Sequence, residues 1–411
     1  MNVPPHRIAL VASVLLVLAG AGMWWWQRSP PIEASGTPLE KPRQEESPQR
    51  RESLTREGMI SSFLKAFGTD HSEQQAFTAC SKAKNGLLKE RGRQVAAQSD
   101  THSKLAHALT SGFIEDSNTS GRQASGNIME HYKTIQEDAS RRIEQAWLQE
   151  PDDHQARWLA MMRCVSPETC MRVEEALTQA EPTNMVVWLQ AMEHARKRGD
   201  HAAMAVAFER AAAVTDFDAH AGSTMLLVVD AYKGLPVPES CKDPRVQRFM
   251  DAVLQGLAGK AGEEISQLAL FAETQSFPSY FALQEYCAHS EMPMTDGRRS
   301  ACMRIYALMA DRGVSFMDQS TALTNAVKLS NGEPDEAQWR ERYRQYQWLK
   351  EHYTNGRMHL NPIDATLDEM GAVRANLQAQ GKWPPPADWL PNDEPARSLI
   401  QNGRPPPPRT R

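Results

Sequence analysis

The chain has 411 residues, with 46 lysines and arginines against 51 aspartates and glutamates, for a formal net charge of −5. That length suits one long helical array or two ordinary domains. Acidic and basic residues are interspersed with no Lys/Arg block, which argues against a nucleic-acid partner, and plentiful Ala, Gln, Glu, Arg, Leu and Met favour helix nearly everywhere after residue 50.

A short tail, 1–7, precedes Ile8–Trp26, IALVASVLLVLAGAGMWWW, nineteen residues without a charge. As a helix this run is roughly 28 Å long, close to the thickness of a hydrocarbon core. Trp24, Trp25 and Trp26 then point in three separate directions around the helix, which suits the headgroup layer better than a protein interface. The expectation is a retained single-pass anchor at 8–27. The alternative is a cleaved signal peptide, because Ala19-Gly20-Ala21 offers a cleavage-type site; the mature chain would then start GMWWWQ. No cysteine follows the run, so lipoprotein processing is excluded. Arg7 before the span and Arg28, Lys41 and Arg43 after it leave orientation open on positive charge alone.

Residues 28–52 contain five prolines, many charges and little to bury, and read as a disordered spacer. The stretch 53–380 reads as an α-helical, repeat-like domain, with a possible subdivision at the break GLPVPESCKDP, 234–244. A helical pair is expected over about 53–98. Residues 98–123 are rich in Ser, Thr, Gly and Asn, so only a short helix, Ser103 to Ile114, is expected there. A long helix near 124–149 follows and ends before Pro151.

The six cysteines are Cys80, Cys164, Cys170, Cys241, Cys287 and Cys302, an even number. In Cys164-Val-Ser-Pro-Glu-Thr-Cys170, Ser166 suits an N-cap, Pro167 the first helical position and Glu168 the first turn. Cys164 would end one helix and Cys170 lie one turn into the next, a corner able to bring two sulfurs together. Cys287 and Cys302 flank another inter-helix loop, which leaves Cys80 with Cys241 by remainder. The competing reading is buried free thiols. Disulfides place the bulk of the chain in an oxidising compartment, the periplasm if the host is bacterial.

Glu150-Pro151 is followed by Trp158, and Glu181-Pro182 by Trp188, thirty residues further on. The second unit, EPTNMVVWLQAMEHARKRGDHAAMAVAFERAAAVTD, resembles a tetratricopeptide repeat. Trp188, Phe208 and the Gly199-Asp200 turn agree with that family and Ala211 follows in the second helix, whereas Ala191, Met192, Ala195 and Met204 depart from the family's residue types. Asp216 stands where proline is usual. The unit from Pro151 to Ala180 matches poorly beyond Trp158. The resemblance implies an all-α array of antiparallel helical hairpins, a superhelix, following the N-terminal transmembrane helix. Further helices are expected at about 217–233, 243–258, 262–274, 278–289, 297–312, 317–330 and 335–354, with a last one from Ala365 to Gln380. The tail, 381–411, carries nine prolines after Lys382 and reads as extended or disordered.

No H-E-x-x-H, G-x-S-x-G, phosphate-binding glycine loop or CxxC occurs, so no catalytic residue, cofactor or metal ligand is assigned. The twelve histidines are dispersed. His194 and His201 have no evident third ligand, and Cys287-x-His289 is a lone pair. Glu174-Glu175 and Glu263-Glu264 are adjacent carboxylates that point apart on a helix. Trp339, Tyr343, Tyr346 and Tyr353 share a helical face. They form either an aromatic wall for a peptide or glycan or, the favoured reading, an apolar face docked on the array. The expected function is that of a membrane-anchored, periplasmic scaffold in the inner membrane, binding a protein or peptide partner. The alternative is an envelope enzyme acting on cell-wall glycan or peptide.

Overall fold

A computed structural model describes residues 71–119, 128–246, 263–288, 294–354 and 367–406. The anchor, its tryptophans and the spacer lie outside them. Among the described residues the protein is all-helical. The fifteen α-helices among them are α1 His71–Ala96, α2 Thr101–Thr119, α3 Ile128–Gln149, α4 His154–Arg163, α5 Pro167–Ala180, α6 Met185–Arg198, α7 His201–Ala213, α8 Ser223–Tyr232, α9 Glu263–Thr274, α10 Phe281–Cys287, α11 Asp296–Arg312, α12 Phe316–Leu329, α13 Glu336–Thr354, α14 Glu369–Ala379 and α15 Glu394–Asn402. No helix among the described residues is long and apolar enough to cross a membrane.

The chain divides into two compact units. The described residues of the smaller are 71–84, 117–119 and 238–246. Its described part joins the start of α1 to the 3-10 helix Glu239–Lys242, with Ala76, Cys80, Cys241 and Val246 in a small apolar cluster. The Cys80–Cys241 disulfide links two segments 161 residues apart in sequence.

The larger unit carries one continuous apolar core. Its most extensive helix contacts pair α6 with α7, α11 with α12, and α8 with α9. The turn between α6 and α7 is short because Gly199 takes φ 69° as the α6 C-cap and Asp200 caps α7 through the Ala203 N–H. A left-handed cap of this kind favours glycine, which has no Cβ to clash. Most of α6 is buried, from Met185 through Ala195 with Trp188 half-covered, because α5, α7 and α10 all pack against it. A helix covered on several sides must satisfy its polar side chains internally. Glu193 does so by accepting from Arg196 at 2.8 Å and from the Ala282 N–H at 3.1 Å.

That second bond belongs to a recurring device. The first amides of a helix lack intrahelical acceptors, and here acids from other elements supply them. Glu144 accepts the Val165 and Ser166 N–H groups at 2.6 and 3.0 Å, ahead of α5. Glu273 accepts those of Gly222 and Met225 at 2.7 and 2.9 Å, at the start of α8. Glu369 accepts that of Phe316 at 2.7 Å, at the start of α12. Each charge also sits at the positive end of a helix dipole.

The corner between α4 and α5 forms as its sequence suggests: Ser166 accepts the Thr169 N–H, Pro167 opens α5, and Cys164 bonds Cys170 with Cα atoms 5.3 Å apart. Cys287 bonds Cys302 across the segment joining α10 to α11, so no free thiol is present. The loop-rich reading of 98–123 gives way to a longer helix, α2, whose Leu105, Ala106, Ala108 and Leu109 are fully buried.

One further expectation is corrected. The tail is not disordered over 394–402: Asp393 caps α15 through the Ala396 N–H, Gly403 ends it at φ 67°, and Ala396 and Leu399 are buried against α12 and α13. Trp339, Tyr343 and Tyr346 are only 6%, 4% and 3% exposed, so of the two readings of this face the favoured one, an apolar face docked in the core, fits and the aromatic binding wall does not. Only Tyr353, at 38%, reaches solvent.

Candidate functional site

Within the larger unit, three side chains from three separate elements converge. His154 opens α4, Glu181 is the C-cap of α5, and His220 lies in the turn ahead of α8. Local rules place each one. Asp153 accepts the Ala156 N–H at 2.7 Å, which fixes His154 as the first helical residue. Pro182 cannot continue α5 and disfavours helical geometry in the residue before it, so Glu181 turns out at φ −128°, ψ 57°. His220 is the one non-glycine with positive φ among the described residues, at 49°. Asp218 holds it there, its Oδ1 accepting the His220 N–H at 2.7 Å.

The Glu181 carboxylate lies between the two imidazoles. His154 Nε2 is 2.8 Å from Oε1, and His220 Nε2 is 3.0 Å from Oε2. Asn184, the N-cap of α6, donates Nδ2–H to Oε2 at 2.8 Å and to the Asp218 carbonyl at 2.9 Å. Its Oδ1 accepts the Val186 and Asp218 N–H groups, each at 3.1 Å. One amide therefore aligns the carboxylate and anchors the backbone that carries His220. The imidazole rings meet edge to face with centroids 4.6 Å apart, and Trp158 packs on His220 at 4.4 Å. The buried Trp158 Nε1–H has no hydrogen-bond partner among the described residues, so the ring contributes packing here.

Burial alone would raise the Glu181 carboxyl, but the hydrogen bonds from His154, His220 and Asn184 outweigh it and hold the group well below the carboxylate range. The hydrogen bond to Glu181 raises His154 above an ordinary histidine, against partial desolvation. His154 is exposed, whereas Glu181 and His220 are partly buried, so the cluster opens to solvent on the His154 side. The three ligating atoms all lie within 4.8 Å of one another. Chemically the arrangement can share protons between imidazole and carboxylate, or hold a cation that takes nitrogen and oxygen donors.

None of the residues singled out in the sequence belongs to this trio. Trp158 is its neighbour, and Glu181-Pro182 stood out only as a repeat boundary. Trp188 is half-buried, donates to the Pro182 carbonyl at 2.9 Å and has Arg210 over its ring. Phe208 packs on Tyr286 with centroids 4.4 Å apart, and Ala211 is fully buried. His194 is buried between Glu174 and the Cys164 sulfur, while His201 is exposed at the start of α7. Cys287 is engaged in a disulfide and offers no thiolate, and His289 lies outside the described residues. An open cavity of about 490 Å³ lies elsewhere, lined by Asp296, Arg299, Met303, Leu329 and Glu333 among others. Its Arg299 and Glu333 are paired with each other, and it shares no residue with the cluster. No family model, curated protein or solved structure matches this chain.

Proposed function

We propose that this protein is a single-pass, membrane-tethered scaffold whose helical part stands in an oxidising compartment, the periplasm of a bacterial inner membrane. There it binds a protein or peptide partner. The observation that carries this reading is that all six cysteines pair, in three disulfides, one of them spanning 161 residues. Such bonds persist where thiols are not kept reduced. The uncharged run at 8–26 supplies the tether, with Trp24, Trp25 and Trp26 at its outer edge. Helical hairpins such as α6–α7 support a tetratricopeptide-like superhelix, an architecture whose concave face suits an extended partner.

Alkaline extraction of membranes carrying the full chain should leave it in the pellet. A thiol-reactive polyethylene glycol should retard the protein from native cells only after reduction. Recovery in the supernatant, or labelling without reductant, sinks the tether or the compartment respectively. Co-purification in mild detergent should return one reproducible partner. The enzyme reading is favoured by a single feature, the histidine–carboxylate cluster, and release of soluble fragments from purified murein would support it.

A further inference from the structure

We propose that His154, Glu181 and His220 form a binding site for one divalent transition-metal ion of the zinc type, with two nitrogen donors, one carboxylate oxygen and a position open to solvent. The inference is independent of the scaffold reading, which stands or falls on the tether, the thiols and the partner.

Four features of the cluster carry it. First, its donor set, two imidazoles and a carboxylate, is one that zinc takes in open sites. Second, the donor atoms already stand close together. Tetrahedral bonds of roughly 2.0–2.1 Å put ligand atoms about 3.3 Å apart, and here one donor atom from each residue lies within 4.8 Å of the others, with each nitrogen hydrogen-bonded to a different Glu181 oxygen at 2.8 and 3.0 Å. Small side-chain rotations therefore make room for an ion in place of the shared protons.

Third, the ligands are oriented from behind. Asn184 holds Glu181 Oε2 at 2.8 Å, and Asp218 Oδ2 lies 3.5 Å from His220 Nδ1, the nitrogen facing away from the carboxylate. A carboxylate behind a ligating imidazole fixes its tautomer and raises its basicity. Trp158 closes the apolar side of His220. Fourth, the chain accepts an uncommon backbone conformation at His220, φ 49°, to present this ring. Asp218 contributes negative charge beside Glu181, and His154 is 53% exposed through its side chain, which gives an ion a way in. A purely structural role would need only one histidine bonded to Glu181. Two rings brought to one carboxylate from elements 27 and 39 residues away make a donor set instead.

The test is titration of the untagged full chain in detergent with Zn2+ by calorimetry and with Co2+ by visible absorption. One equivalent should bind, and Co2+ should show the intense bands of a low-coordinate site. His154→Gln and His220→Gln should each weaken binding more than about a hundredfold, and Asp218→Asn about 10–100-fold, as loss of an orienting carboxylate does. His201→Gln, remote in sequence and exposed, should bind as the unaltered protein does. If Glu181→Gln unfolds the corner, the exposed His154→Gln variant still decides the matter. Absence of stoichiometric binding overturns the proposal. So does binding that survives the His154→Gln/His220→Gln double variant, or that His201→Gln abolishes.

Discussion

Glu273 stands on α9 and serves amides on another element, those of Gly222 and Met225 at the start of α8. Glu273→Ala leaves two buried N–H groups without acceptors, so chemical denaturation should show a loss of about 3 kcal/mol. The carboxyl is also 2% exposed, and burial raises it above its ordinary value despite those two hydrogen bonds. A raised acid contributes stability that is fully present below its unfolded value, near 4.5, and is lost as pH rises through its folded value. Glu273→Gln removes that titration while keeping one acceptor. The stability gap between wild type and this variant should therefore narrow between pH 4.5 and pH 7.5 in paired denaturant titrations. Trp339 makes a second residue-scale case. As a core side chain its replacement by Ala should cost about 3–5 kcal/mol, whereas a solvent-facing wall residue would leave the unfolding midpoint nearly unchanged.

At the scale of elements, the termini of helices explain both what the sequence disclosed and what it hid. Ser166-Pro167-Glu168 is a start signal, Gly199 is a stop signal, and the corner and hairpin they define are in place. The same grammar marks α15, with Asp393 before Glu394-Pro395 and Gly403 after Asn402. There the nine prolines of the tail mask it, because composition alone favours an extended chain. The acids that cap from a distance had no local signature, because Glu273 and Gly222 are 51 residues apart. The His154–Glu181–His220 cluster was hidden for the same reason: each member is ordinary in its own segment. Truncation before Asn392 should remove α15 and uncover the faces of α12 and α13 that bury Leu399 and Ala396. A loss of about 2–4 kcal/mol and a lower thermal midpoint are expected, whereas a disordered tail would be dispensable.

For the molecule as a whole, the three disulfides differ in reach. In the chain-entropy account a bond across 161 residues restricts the unfolded ensemble by about 5 kcal/mol, and one across six by about 2. Replacing Cys80 and Cys241 by serine should therefore lower stability more than replacing Cys164 and Cys170, as denaturation of the two double variants would show. The long bond also imposes an order on biogenesis. The chain is made N-terminus first, and Cys80 meets Cys164 and Cys170 well before its native partner, Cys241, has been synthesised. Oxidation of consecutive cysteines as they emerge thus joins Cys80 to Cys164 and Cys170 to Cys241, two non-native pairs, and leaves only Cys287–Cys302 correct. In the oxidising compartment proposed for it, reaching the native form should depend on a disulfide-reshuffling activity in the host, and its loss should leave non-native isomers that ran through the earliest available partner.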